Sequence, residues 1–212
     1  QLSKGDTEAA QQTLSDIVTS NEQQSAEALI KFVDSHLEAD TQIDESVATL
    51  VEAYAVEMRG DPLGAELKRT HVLALAKSGQ FDAAFRALTR MKSRNGPETD
   101  NELRALLLDI VTRSANNIVF LEKAFAHSQN AVKLGEPRVA FAMAKRAAEL
   151  GFPQLADLIL QGEPDIPMST KARELKARIS LDLGRPPEAE AQLFGLESDA
   201  ADRLRARAKT ME

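Results

Sequence analysis

Three histidines, His36, His71 and His127, are the side chains best suited to proton transfer or metal ligation near neutral pH. They stand in separate helical segments, with no second His or carboxylate at ligand spacing, so neither a metal site nor a catalytic base is expected from them. Two carboxylate pairs, Asp44 with Glu45 and Glu57 with Asp61, resemble an acid and base for glycoside chemistry. That chemistry needs a cleft and one raised pKa, whereas carboxylates at helix starts and on solvated faces have a simpler origin. Gly60 and Gly64 lack the Gly-Lys-Ser/Thr ending of a phosphate-binding loop. The chain holds no Cys, which removes thiolate nucleophiles, disulfides and Cys-ligated metals. No catalytic residue, metal or cofactor is expected, and the chain is read as non-enzymatic.

Charge is distributed unevenly over the 212 residues, whose net formal charge is −7. Residues 1–61 carry three Lys/Arg against thirteen Asp/Glu, a balance that disfavours nucleic acid there. Farther on, Arg86, Arg90, Lys92 and Arg94 cluster at one helix C-terminus. The helix dipole accounts for them, and the interleaved aromatics that grip single strands are missing, so no nucleic-acid partner is expected.

These side chains must be positioned by helices. The chain has 33 Ala, no Trp, one Tyr and few β-branched residues, a composition that excludes an all-β fold. Apolar residues recur at three and four positions, as in Val47, Leu50, Val51, Tyr54, Ala55 and Met58, and no segment alternates with period two. Prolines punctuate the pattern: Pro62, Pro97, Pro137, Pro153, Pro164, Pro167, Pro186 and Pro187 fall at expected helix starts or in loops. Expected helices run from 7 to 19, 21 to 37, 44 to 59, 62 to 78, 81 to 94, 99 to 111, 118 to 134, 138 to 150, 154 to 160, 171 to 183, 188 to 196 and 199 to 209. Thr99 with Glu102 makes a capping box. The longest apolar runs, such as Ile118 to Leu121, are far short of a membrane span, so no membrane insertion is expected.

Three junctions are alike. They read Gly79-Gln-Phe81-Asp-Ala-Ala84, Gly151-Phe-Pro153-Gln-Leu-Ala156 and Gly184-Arg-Pro186-Pro-Glu-Ala189. Glycine takes the left-handed conformation that stops a helix, Phe or Pro opens the next, and Ala permits close approach. Their spacing implies a helical-hairpin unit of about 34 to 37 residues, with a degenerate copy at Ala115 and Asn116 where the glycine is lost. Gly135 makes a similar junction half a unit out of phase.

On these junctions, above all Ala76-Lys-Ser-Gly79-Gln-Phe81-Asp-Ala-Ala84-Phe85-Arg-Ala-Leu88, the chain resembles the tetratricopeptide-repeat family and its helical-hairpin relatives. The resemblance covers Pro62 to Leu196. It departs from the family where a large aromatic and a leucine early in the first helix are replaced by Lys68 and His71, and again by Arg173 and Lys176. The resemblance implies an all-α solenoid of stacked antiparallel hairpins over residues 62–197, preceded by acidic helices at 1–61 and closed by a capping helix or tail at 198–212. It implies a concave face lined by first helices, offering Glu66, Arg69, Leu73 and Lys77; Glu102, Asp109 and Arg113; Arg138, Phe141 and Lys145; and Lys171, Glu174 and Arg178. Leu73, Asp109, Lys145 and Arg178 stand where some members place the Asn of a carboxylate clamp, so no such clamp is expected.

The resulting expectation is a scaffold that binds a protein or peptide segment, with Arg138, Lys145, Lys171 and Arg178 as a basic strip for an acidic one. Two other classes fit the same sequence. One is a structural or assembly module of a larger envelope or secretion protein, and the other is an accessory domain of an enzyme whose catalytic part lies elsewhere. The composition is bacterial in style, and the absence of Cys suits either the cytoplasm or the periplasm. Because the sequence starts at Gln1, it is read as a processed or truncated chain.

Overall fold

A computed structural model describes residues 22–91, 97–129, 136–163, 166 and 169–211, the side chains of 22–23 and 97–100 excepted. The expected helix at 7–19, the side-chain half of the Thr99 capping box, Lys92, Arg94, Gly135, Pro164 and Pro167 lie outside these residues. Among the described residues there are eleven α-helices and no strand. The chain divides into two compact units, Gln1–Lys92 and Ser93–Glu212.

The first unit contains α1 (Glu22–Glu38), α2 (Glu45–Glu57), α3 (Pro62–Lys77) and α4 (Phe81–Arg90). Helix α3 packs against all three others. Its second half is buried without a break from Val72 to Lys77, so it is enclosed on all sides and has no solvent-facing stripe. Asp44 and Asp61 begin α2 and α3 by accepting the backbone N–H of Ser46 at 2.9 Å and of Leu63 at 2.8 Å. The entry to α3 passes close to the end of α2. A Cβ at Gly64 would lie 2.1 Å from the Met58 carbonyl oxygen.

The second unit contains α5 (Pro97–Ser114), α6 (Asn117–Gln129), α7 (Pro137–Glu149), α8 (Pro153–Gly162), α9 (Thr170–Asp182), α10 (Pro186–Leu193) and α11 (Asp199–Lys209). Helices α5 and α6, α7 and α8, and α9 and α10 pair as hairpins. Between hairpins, α5 packs on α7, α7 on α9 and α6 on α8, while α11 lies against α9 and α10 as the first helix of a further hairpin would. Small side chains make up much of this packing: Ala140, Ala144, Ala147 and Ala148 of α7 are buried together with Met143. A cluster of Ala177, Leu181, Ala189, Leu193, Leu196, Ala201 and Ala208 joins α9, α10 and α11.

The three glycine junctions have one geometry. Gly79, Gly151 and Gly184 have φ of 83°, 85° and 71°. In each, the glycine N–H donates three residues back and the next N–H five residues back: Gly79 to Ala76 and Gln80 to Leu75, Gly151 to Ala148 and Phe152 to Ala147, Gly184 to Leu181 and Arg185 to Ser180. This is the Schellman arrangement, which pairs carbonyls left over at a helix end. The residue after each glycine then supplies the first carbonyl of the next helix, to which Ala84, Ala156 and Ala189 donate their N–H groups. All three alanines are fully buried.

Where the glycine is missing, an arginine from the next hairpin takes its place. Asn116 begins α6 by accepting the Val119 N–H at 3.0 Å. The C-terminal carbonyls of α5 face Arg146 of α7, whose Nη1 donates to Val111 O at 3.2 Å and Thr112 O at 2.7 Å. Its Nη2 donates to Ala115 O at 2.7 Å and Asn117 Oδ1 at 3.0 Å. The guanidinium also lies 4.4 Å from the centroid of the Phe120 ring. Partial burial lowers its pKa without removing its charge.

Two experiments test these junctions by urea denaturation. Gly151→Ala meets open space and costs only left-handed strain, about 1 kcal/mol, whereas Gly64→Ala meets a backbone oxygen and costs more than about 2 kcal/mol. Gly162→Ala, in open space at the end of α8, stabilises by about 0.5 kcal/mol. A Gly64 variant no worse than the Gly151 variant contradicts the close approach of α2 and α3. Arg146→Lys loses about 1–2 kcal/mol because a point charge cannot span four acceptors, and Arg146→Ala loses about 2–3 kcal/mol. Full stability in the Lys variant shows that the guanidinium fork is dispensable.

Candidate functional site

First helices of the second unit present one open groove of about 470 Å³. Helix α7 starts at Pro137 and carries Phe141, Lys145 and Glu149 at successive intervals of four, a single stripe opposite its buried alanines. Helix α9 starts at Ser169, whose Oγ accepts the Ala172 N–H at 3.3 Å, and contributes Lys171, Glu174, Leu175 and Arg178. Helix α11 starts at Ser198, whose Oγ accepts the Ala201 N–H at 3.1 Å, and contributes Ala200, Arg203 and Leu204. The spacings three and four place each set on one helical face. Phe141, Leu175 and Leu204 give the groove an apolar floor, and charged side chains surround it.

The charges are loosely held. Lys145 Nζ is 3.8 Å from Glu149 Oε1, and Arg178 Nε is 3.9 Å from Asp182 Oδ2. Asp182 is held more tightly by Arg207, at 2.8 Å. Ser198 Oγ donates to Glu174 Oε1 at 2.5 Å, so one hydroxyl both caps α11 and steadies a groove carboxylate. Exposed pairs of this kind contribute about 0–1 kcal/mol, so they shape the local field more than the stability.

Five of the residues expected on the concave face meet here: Phe141, Lys145, Lys171, Glu174 and Arg178. The others do not. Arg138 is exposed at the start of α7 but does not line the groove. Asp109 and Arg113 pair with each other at 2.6 Å along α5, and Glu102 is exposed nearer the start of that helix. Glu66 and Arg69 are exposed on α3, in the other compact unit.

Leu73 and Lys77 require a correction, because both are buried. The link between α1 and α2 covers the end of α3: Lys77 Nζ donates to Asp40 Oδ1 at 2.7 Å, and its carbonyl accepts the Ile43 N–H at 3.2 Å. Neither can face a groove. Sequence reasoning also missed Glu149, Leu175, Ala200, Arg203 and Leu204. Residues 198–212 were expected only to cap the stack, although the three-and-four spacing of Ala200, Arg203 and Leu204 was there to be read.

Two of the earlier acid–base candidates, Asp44 and Asp61, serve as helix caps. Asp44 accepts from the Ser46 hydroxyl at 2.6 Å as well as from its amide, and these bonds hold its pKa below the usual value, the wrong direction for a proton donor. No group of three or more His, Cys, Asp or Glu among the described residues is placed to hold a metal ion. No helix among them is long and apolar enough to cross a membrane. His71 and His127 are depressed mainly by burial; Glu52 opposes the shift at His71, and the Arg104 charge adds to it at His127.

Both histidines bind their proton less readily folded than unfolded, so stability is complete above about pH 6.5 and falls as pH drops through the folded-state pKa values. Urea midpoints measured between pH 7.5 and 5.5 are expected to decline, with a smaller decline in His71→Gln and in His127→Gln. Unchanged slopes in both variants count against burial as the cause.

A scan against protein-family models, a search of curated proteins and a search of solved structures each returned no match.

Proposed function

We propose that the chain is a tetratricopeptide-like scaffold that binds without catalysis, and that its second unit holds a protein or peptide segment in the groove between α7, α9 and α11. The observation that carries this reading is the convergence of Phe141, Lys145, Lys171, Glu174 and Arg178 on one open groove. The repeat phase taken from the glycines selects those residues, and nothing about their individual chemistry would. Repetition of the same hairpin turn at Gly151 and Gly184, with first helix packed on first helix, supports the solenoid part of the reading. An apolar floor surrounded by several charged groups suits recognition of a side-chain pattern.

Photo-crosslinking in the source cell tests it. A photoreactive residue at Ala200, in the groove, is expected to capture a discrete partner, while the same residue at exposed Gln161 of α8 is not. Phe141→Ala in the Ala200 background should lower the yield at least fivefold. Equal products from Ala200 and Gln161 rule out the groove as the contact surface.

A further inference from the structure

Resting on that reading, we infer that the groove takes a short linear segment in which apolar side chains are flanked by carboxylates. The apolar side chains sit on Phe141, Leu175 and Leu204, and the carboxylates are met by Lys171, Arg178 and Arg203. Size is the first constraint. At about 470 Å³ the groove falls within the ~300–1,000 Å³ of pockets that enclose a drug-sized group, which is room for a few side chains of a linear segment.

Charge is the second. Four cations, Lys145, Lys171, Arg178 and Arg203, face two carboxylates, Glu149 and Glu174. The neighbouring anions are engaged elsewhere: Glu174 accepts from Ser198, and Asp182 is drawn to Arg207, which leaves Arg178 at 3.9 Å. Lys171 is exposed at the start of α9. Arg203 donates its Nε to Asp199 O at 3.1 Å, and its terminal nitrogens remain for an incoming carboxylate. Guanidinium groups bind carboxylates in fork geometry, and partial exclusion of water by an apolar floor strengthens such contacts.

The floor also separates this ligand from a nucleic acid. Single strands are gripped by stacking on several aromatic rings, and among the described residues Phe141 is the only aromatic side chain lining the groove. A basic segment would face the excess of cations.

Fluorescence anisotropy with the full chain at low salt tests the assignment. The probes are a fluorescein-labelled ten-residue peptide of Asp, Glu and two Leu, its Asn/Gln counterpart, its Ala-for-Leu counterpart, and a labelled ten-nucleotide thymidylate. The acidic Leu peptide is expected to bind at least tenfold more tightly than each of the others. Lys171→Glu with Arg178→Glu should weaken it at least tenfold, and Lys145→Glu, at a more exposed site, should weaken it severalfold, each with an unchanged circular dichroism spectrum.

Equal binding of the Asn/Gln peptide overturns the carboxylate assignment and leaves the groove reading standing. Equal binding of the thymidylate shows a general polyanion site and overturns the partner class. No binding of the acidic peptide overturns the inference, with the groove itself then judged by the Ala200 crosslink. Binding that none of the variants, Phe141→Ala included, alters overturns both.

Discussion

Every helix leaves its last carbonyls without intrahelical partners, and a chain made of short helices meets that constraint repeatedly. Three of the helix ends here are closed by glycine in the left-handed region, with two backbone bonds at each. A fourth, after α1, uses Asp40 at φ 52° in the same arrangement, with its N–H donating to Leu37 and that of Thr41 to His36. Asp is one of the few side chains that tolerate this conformation. Lys77 then holds the Asp40 carboxylate from α3, so the cap and the packing of α1 on α3 reinforce each other.

Arginine is the second way of meeting the constraint. Arg146 serves the end of α5, and two more serve α10, which stops at a Gly195 that lacks the full pair of backbone bonds. Arg173 of α9 donates to Gln192 O at 2.9 Å and Phe194 O at 2.5 Å. Arg205 of α11 donates to Leu193 O at 2.8 Å and also to Leu196 O. A cation at a helix C-terminus is favoured by the dipole as well as by the hydrogen bonds. Each of these arginines comes from a different helix than the one it closes, so finishing a helix and stacking a hairpin become one event. Arg173 and Lys176 replace apolar residues expected early in a repeat's first helix, and for Arg173 the capping bonds supply a physical reason.

The all-helical character and most helix starts were legible in the sequence because their determinants are local. Proline at a helix start, glycine at a helix end and alanine at a close contact act within a few residues, and α3, α7, α8, α9 and α11 begin within a residue of the expected positions. The groove was half legible. Phase from Gly151 and Gly184 selected Phe141, Lys145, Lys171, Glu174 and Arg178, which do line one groove, since α7 packs on α9 and α9 on α11. Phase from Gly79 selected Leu73 and Lys77 wrongly. The enclosure of the second half of α3 depends on α1 and α2, more than thirty residues away in sequence for the Asp40 contact, and no local pattern encodes that. Arg146 was invisible for the same reason, since an arginine on an Ala-rich helix reads as surface charge until its acceptors are known.

Helix α11 ties the packing of the last hairpin to the charge on the groove. Its Arg205 and Arg203 are two residues apart and so point in different directions around the helix. Arg205 turns toward the end of α10, and Arg203 lines the groove. Ser198 likewise caps α11 and fixes Glu174, while Arg207 draws Asp182 away from Arg178. Ser198, Arg205 and Arg207 therefore anchor the terminal segment, and two of them, Ser198 and Arg207, also engage the α9 carboxylates Glu174 and Asp182. A helix added only to cover an exposed core could be polar in any pattern. The pattern found here places Arg203 on the same groove as Lys171 and Arg178, so α11 adds a cation to a face that α9 has already made basic.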